Sequence, residues 1–328
     1  MLEPVVLPSN RPPERFYRGG PRSAEFRGEP DAPEREPEDW IASTTPLAGE
    51  TALGLTTLPD GRVLADAIAA DPEGWLGARH LARHGADTML LVKLLDAGQR
   101  LPVHAHPDGE WARQHVGRAH GKAEAWFILR GGTVHLGLRR ELGVPELRAL
   151  VDAQDTDALL DALHPVAVAP GDVVFVPAGV LHAIGEGVFL VEVQEPEDLS
   201  ILLEWRGFEL DGERDGHLGV GFDAALGAVE MRTRTAEELA GLVRPAGFGA
   251  SVLPAGADPL FRLERATVDG DVELEAGFAI LIVTEGAMRL GALDLARGST
   301  VVVPHAAGPL ALSGRGEVLV ARPPAGPA

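Results

Sequence analysis

Apolar and polar positions along the chain fall into two rhythms, and their order sketches the molecule. The first 40 residues (MLEPVVLPSNRPPERFYRGGPRSAEFRGEPDAPEREPEDW) are rich in proline, glycine and charge, which predicts irregular, wrapped backbone. LPDGR at 58–62 is a turn signature, and Val63, Leu64, Ala67 and Ile68 after it keep helical spacing up to Asp71-Pro72. TMLLVKLLDAGQRLPVHAHPD then holds two apolar runs around a glycine-containing turn and reads as a hairpin whose second strand carries two histidines. PDGEWARQHVGRAHGKA has room for a short helix and a covering loop, with Asp108 placed to cap the helix. Glu124 to Leu129 and Thr133 to Leu138 alternate as strands. Leu147, Leu150 and Val151, then Leu159, Leu160 and Leu163, return to helical spacing and predict a helical insertion at about 139–165.

Strands resume with VAVAPGDVVFVPAG, VFLVEVQ and LSILLEW. A linker-like passage follows, with a short helix expected at TAEELAGLV, and from about residue 258 a second run of short strands begins. Its GSTVVVPHAAG repeats the order of strand, proline and histidine in GDVVFVPAGVLH, so we read an internal repeat of one β-module. Many short strands with glycine turns, repeated twice, predict a mainly β chain of two jelly-roll barrels of the cupin kind. The expected division is an N-terminal metal-binding domain over 1–210, a linker and helix over 211–245, and a metal-free domain over 246–328.

The candidate chemistry lies between Leu101 and Leu129. Successive side chains of a strand point to opposite faces, so His104 and His106 project to the same side, and Lys122, Glu124 and Trp126 share one face. His182, just beyond a Pro-Ala-Gly turn, is the natural further ligand. Three imidazoles and one carboxylate suit a divalent metal such as zinc, iron, manganese or nickel. Glu192 shares a face with Leu190 and Gln194, and an inward carboxylate needs a partner or a task. The second copy lacks paired histidines and a matching glutamate, which leaves His305 outside the ligand set. His115 and His120 are read as loop residues, and His80, His84, His135, His164 and His217 as structural.

Composition narrows the partners. The chain has 328 residues, 49 acidic against 29 basic, for a net charge of −20, which repels phosphate backbones and anionic membrane surfaces. Nucleic acid and membrane are therefore not expected as partners. There is no cysteine, so any metal is held by nitrogen and oxygen. No stretch reaches the ~18 to 20 apolar residues of a membrane span, and MLEPVVLPSN lacks the order of a signal peptide, so a cytoplasmic protein is expected.

These residues carry a resemblance. LEPVV with RFYRGG, EDWIAS, HAHPDGEWARQH, GKAEAWFIL and APGDVVFVPAGVLHAIGEG, in this order and spacing, resemble type I mannose-6-phosphate isomerases over nearly the whole chain. The resemblance implies a metal at His104, His106, Glu124 and His182, zinc first among the candidates, a catalytic or substrate-contacting Lys122, and an acidic residue beside the metal at Glu192. Three positions depart from it. His104 stands where those enzymes have glutamine, Pro102 where they have serine, and Leu202 where they have the arginine of a Tyr-Arg pair, with Arg206 four residues on.

The leading expectation is a metal-dependent aldose–ketose isomerase that interconverts a mannose-type sugar, or its phosphate, with the ketose through an enediolate. Glu192 or a metal-bound water would move the carbon-bound proton, and Lys122 would stabilise charge or assist ring opening. An isomerase of an unphosphorylated sugar is one alternative. Others are a non-catalytic, metal-containing sugar-binding or regulatory protein, and an oxidative cupin using iron and dioxygen. The oligomeric state is not readable from the sequence.

Overall fold

The computed structural model describes residues 2–249 and 251–325. Its strands run in chain order as β1 (Val5–Val6), β2 (Glu38–Ile41), β3 (Leu91–Asp96), β4 (His104–Ala105), β5 (Glu124–Arg130) and β6 (Gly132–Leu138). There follow β7 (Leu163–Val168), β8 (Asp172–Val176), β9 (His182–Ile184), β10 (Phe189–Gln194), β11 (Ile201–Leu202) and β12 (Val243–Pro245). The last group is β13 (Arg262–Leu274), β14 (Ala279–Leu290), β15 (Leu293–Ala296), β16 (Thr300–Val303) and β17 (Leu310–Arg322).

Three antiparallel sheets result. One has the order β12-β8-β5-β10-β3-β2, a second β11-β4-β9-β6-β7, and the third β1-β16-β14-β17-β13 with β15 on β14. The first sheet is buried on both faces, which explains why FLVEVQ and LVKLLD read as nearly continuous apolar runs. Its side chains divide by parity. Val92, Leu94, Ala125, Phe127, Val173, Phe175, Val191 and Val193 pack into a core shared with Phe261, Leu263, Ile280, Ile282 and Leu319 of the C-terminal strands. Leu95, Trp126, Ile128, Val174, Val176 and Leu190 point the other way, toward Val134, Leu136 and Ile184 of the second sheet. The interior between the first two sheets is therefore where Glu124 and Glu192, on the same parity as Trp126 and Leu190, must lie.

Two expectations change here. The run from Leu91 to Ala105 is no hairpin: β3 pairs with β10 and β2, while β4 pairs with β11 and β9 in the facing sheet. The same crossing separates β5 from β6 and β7 from β8. Each turn is a corner between sheets, as closing a jelly roll requires, and alternation along a strand cannot tell a corner from a hairpin. Gly131 marks one such corner, where a Cβ would lie 2.3 Å from the Val168 carbonyl oxygen. The proline-rich opening also contains a helix, Pro21–Arg27, with Pro in its first turn and Gly28 (φ 68°) ending it, and with Ala24 and Phe26 buried.

The helical insertion forms as two helices, Val144–Ala153 and Thr156–Asp161. TAEELAGLV supplies the helix Ala236–Ala240, closed by a capping box from Thr235 and Glu238. FRLERATV and DVELEAG are one 13-residue strand, β13. β1 pairs with β16 and so joins the C-terminal sheet, while β12 adds to the edge of the first sheet on β8. No helix among the described residues is long and apolar enough to cross a membrane.

Candidate metal centre

Neighbouring strands of the second sheet bring three histidines together. β4 and β9 place His104 directly opposite His182, and His106 follows at the end of β4. The imidazole donor nitrogens of His104, His106 and His182 lie within 4.8 Å of one another, all buried. Each ring is oriented by main chain. His104 Nδ1 is 2.8 Å from the Pro102 oxygen, His106 Nδ1 2.7 Å from the Leu199 oxygen, and His182 Nδ1 2.8 Å from the Val180 oxygen. A carbonyl only accepts, so each Nδ1 carries the proton and each Nε2 keeps its lone pair for the centre.

Glu124, first residue of β5, faces them across the interior. Its Oε2 is 3.0 Å from His106 Nε2, and its Oε1 is 3.3 Å from His182 Nε2. Trp126 Nε1 donates to Oε1 at 3.0 Å, which fixes the carboxylate plane. Lys122 Nζ bridges His106 Nε2 (2.9 Å) and Glu124 Oε2 (3.0 Å). Glu124 and Lys122 thus meet the histidine cluster at His106, and Glu124 also at His182.

Electrostatics keep these groups in ligating form. Burial, then its neighbours His182 and His106, holds the His104 imidazolium well below its ordinary value. Burial and then the Lys122 ammonium bring His106 down to about 4. Burial alone would push the Glu124 carboxyl up, but the Lys122 ammonium and His106 hold it well below the usual range. At neutral pH the centre is therefore two neutral imidazoles and a carboxylate, with His182 beside them. His182 Nε2 is buried and has no hydrogen-bond partner. A buried unpartnered acceptor is costly, and convergent lone pairs beside a carboxylate fit a divalent cation by the chemistry of the donor set.

Glu192 sits on β10 between Lys93 of β3 and Trp126 of β5. Its Oε1 is buried without a hydrogen-bond partner, 3.5 Å from the Lys93 ammonium. Burial, then the charge of Glu124, pushes the Glu192 carboxyl up. Glu192, Lys122, Glu124 and His104 line one narrow inner chamber of about 40 Å³, together with Leu202, which pairs with His104 across β11 and β4. Arg206 does not reach it: its Nη2 donates to the Ala153 carbonyl on the helical insertion.

A charged layer beneath the site was not foreseen. Glu38 Oε1 accepts from Tyr17 Oη (2.8 Å) and from Arg15 (3.1 and 3.2 Å), and Oε2 accepts from Trp40 Nε1 (2.8 Å). Lys93 Nζ lies 3.2 Å from Glu38 Oε2 and 4.6 Å from the Trp40 ring centroid. Burial opposes the charge on Glu38, yet Arg15 and Lys93 hold its carboxyl far below the ordinary value. The signal was present in TMLLVKLLD, where one lysine interrupts a buried apolar strand. His120, read as a loop residue, pairs with Asp87 at 2.7 Å, and His115 stacks on Trp111. Asp108 caps the helix Gly109–His115 through Trp111 N, as expected.

No family model matches the chain. Among curated proteins, it is 35% identical over 129 residues to "Mannose-6-phosphate isomerase" of Streptococcus mutans, covering 38% of each. It is 35% identical over 136 residues to "Mannose-6-phosphate isomerase ManA" of Bacillus subtilis, covering 40% of this chain and 42% of the relative. The chain thus matches about two fifths of the length of these curated relatives. Among solved structures, the mannose 6-phosphate isomerase of Bacillus subtilis superposes with a TM-score of 0.73 at 20% identity, covering 98% of this chain and all of that one. An E264A mutant of the phosphomannose isomerase from Salmonella typhimurium gives 0.76 at 16% identity, covering 99% and 100%. The fold is that of the phosphomannose isomerases, mainly β with antiparallel sheets, and the sequence resemblance to mannose-6-phosphate isomerases is matched over about two fifths of the chain.

Proposed function

We propose that the chain is a metal-dependent aldose–ketose isomerase of the mannose-6-phosphate isomerase kind, acting on a mannose-type sugar or its phosphate. The observation that carries this reading is a cluster of three buried imidazoles, each Nδ1 set by a main-chain carbonyl, with the Glu124 carboxylate against two of them and Lys122 and Glu192 lining the same chamber. His104, His106, Glu124 and His182 are the proposed ligands, with zinc the first candidate among divalent metals. When bound, the ion would lower the cost of negative charge on the sugar oxygens at C1 and C2.

The remaining steps belong to side chains. Glu192 is the buried carboxylate free to take the proton from C2 and return it at C1, and its raised proton affinity suits a base that must also act as acid. Lys122 places an ammonium at the chamber wall to hold a sugar hydroxyl or assist ring opening. Lys93 and the Glu38 layer fix the orientation of Glu192 from behind. Leu202 favours a second reading, a sugar-binding protein that does not turn over, because it puts an apolar side chain over the inner chamber.

Metal analysis with isomerase assays on mannose and mannose 6-phosphate separates these. The wild type should carry one metal equivalent and turn over at least one of the two sugars. Glu124→Ala should lose most of the metal and at least ~100-fold in activity. Full activity in Glu124→Ala would sink the metal mechanism, and metal-loaded wild type inert to every aldose would leave the binding protein.

A further inference from the structure

The inner chamber has room for the reacting end of a sugar and little else, so the rest of a substrate must lie in the cavity that continues from it. That outer chamber, about 670 Å³, shares Arg15, Phe16, Asp198, Ser200 and Leu202 with the inner one. Its charge is one-sided. Glu14, Asp198, Glu209, Asp211 and Asp215 line it against two cations, Arg15 and Arg214.

Both cations are already paired. Arg214 is forked onto Asp215 at 2.8 and 2.7 Å, and Arg15 is held by Glu38 at 3.1 and 3.2 Å. Of the inner cations, Lys93 pairs with Glu38, and Lys122 lies against Glu124 at the reacting end, away from the outer chamber. Each of the four cations lining the two chambers therefore has a carboxylate partner, whereas phosphate recognition needs cations or donors to spare. What the outer chamber offers instead is carboxylate acceptors beside Phe16 and Phe208, whose ring centroids are 6.5 Å apart edge to face. Carboxylates accept hydroxyl hydrogen bonds and aromatic faces take the apolar face of a sugar ring.

We infer that the substrate is an uncharged sugar, and that the carboxylates of the outer chamber disfavour a phosphate at the end remote from the metal-binding histidines. This rests on the isomerase reading for the placement of the reacting end, and the test keeps the two apart by measuring binding as well as turnover. Zinc-loaded wild type is titrated calorimetrically with D-mannose and with D-mannose 6-phosphate, at low and at high salt, and the same sugars are followed for conversion. The expected result is at least a tenfold preference for D-mannose in affinity, shrinking at high salt because screening relieves repulsion of the phosphate alone. Glu209→Lys with Asp211→Lys, both exposed, should shift the affinity ratio at least about fivefold toward the phosphate. A wild type that prefers the phosphate, binds neither sugar, or keeps its ratio in the double variant overturns the inference. Preferential binding of D-mannose with no conversion of either sugar overturns isomerisation and leaves the charge selection standing.

Discussion

Glu38 holds one buried and one half-buried cation and two neutral donors on a single carboxylate, directly behind the proposed base. Glu38→Gln keeps the shape and leaves Arg15 and Lys93 short of their counter-charge, which should cost about 3–5 kcal/mol of stability in urea unfolding. The pH dependence has a definite sign. Its partners depress the folded carboxyl well below the ~4.3 of an unfolded glutamate, so the contribution is complete above that value and is lost as pH falls beneath it. The gap between wild type and Glu38→Gln should be flat from about pH 5 to 8 and close as the pH drops below ~4. A gap that widens on acidification would refute the assignment. Of these residues only Lys93 was visible to a careful reader, as a charge in an apolar strand. Arg15 and Tyr17 sit in a proline-rich opening whose irregular backbone carries no parity, so nothing in their spacing says which way they face. His104, His106 and Glu124 were legible for the opposite reason: strand parity and ligand type agree at all three.

At the scale of elements, the helical insertion is tied to the site strands through Gln154. This residue ends the helix Val144–Ala153 in the left-handed region (φ 49°). Its Nε2 donates to the Val151 and Leu203 carbonyls, and its Oε1 accepts from Trp205 N and Arg206 N. Gln154→Ala leaves these buried groups unpaired and strains the turn, so unfolding should become easier by about 2–3 kcal/mol. A loss under ~0.5 kcal/mol would show that the insertion docks independently of it. Periodicity located both insertion helices and most strands, though not β1, β2, β9 or β12. It could not show that β3 and β4, or β5 and β6, lie in different sheets, because a corner and a hairpin share the same alternation and differ only in the direction the chain takes after its glycine.

For the whole molecule, the proposed borders at 210 and 246 are crossed by packing. Val92, Phe127, Phe175 and Val191 share one core with Phe261, Ile280 and Leu319. A chain cut after residue 245 would bare that apolar face, and we expect it to be insoluble or to bind a hydrophobic dye, while the full chain unfolds in one transition. Monomeric, dye-silent protein from the truncated chain would show that the halves are independent.

The pairing of β1 with β16 adds a matter of timing. Val6 meets Val301, 295 positions later in the chain (301 − 6). At roughly 5–20 residues per second, the opening strand emerges some 15 to 60 s before its partner exists. Through that interval the nascent protein carries an unclaimed valine pair, and the sheet that receives it cannot close until β16 has been made.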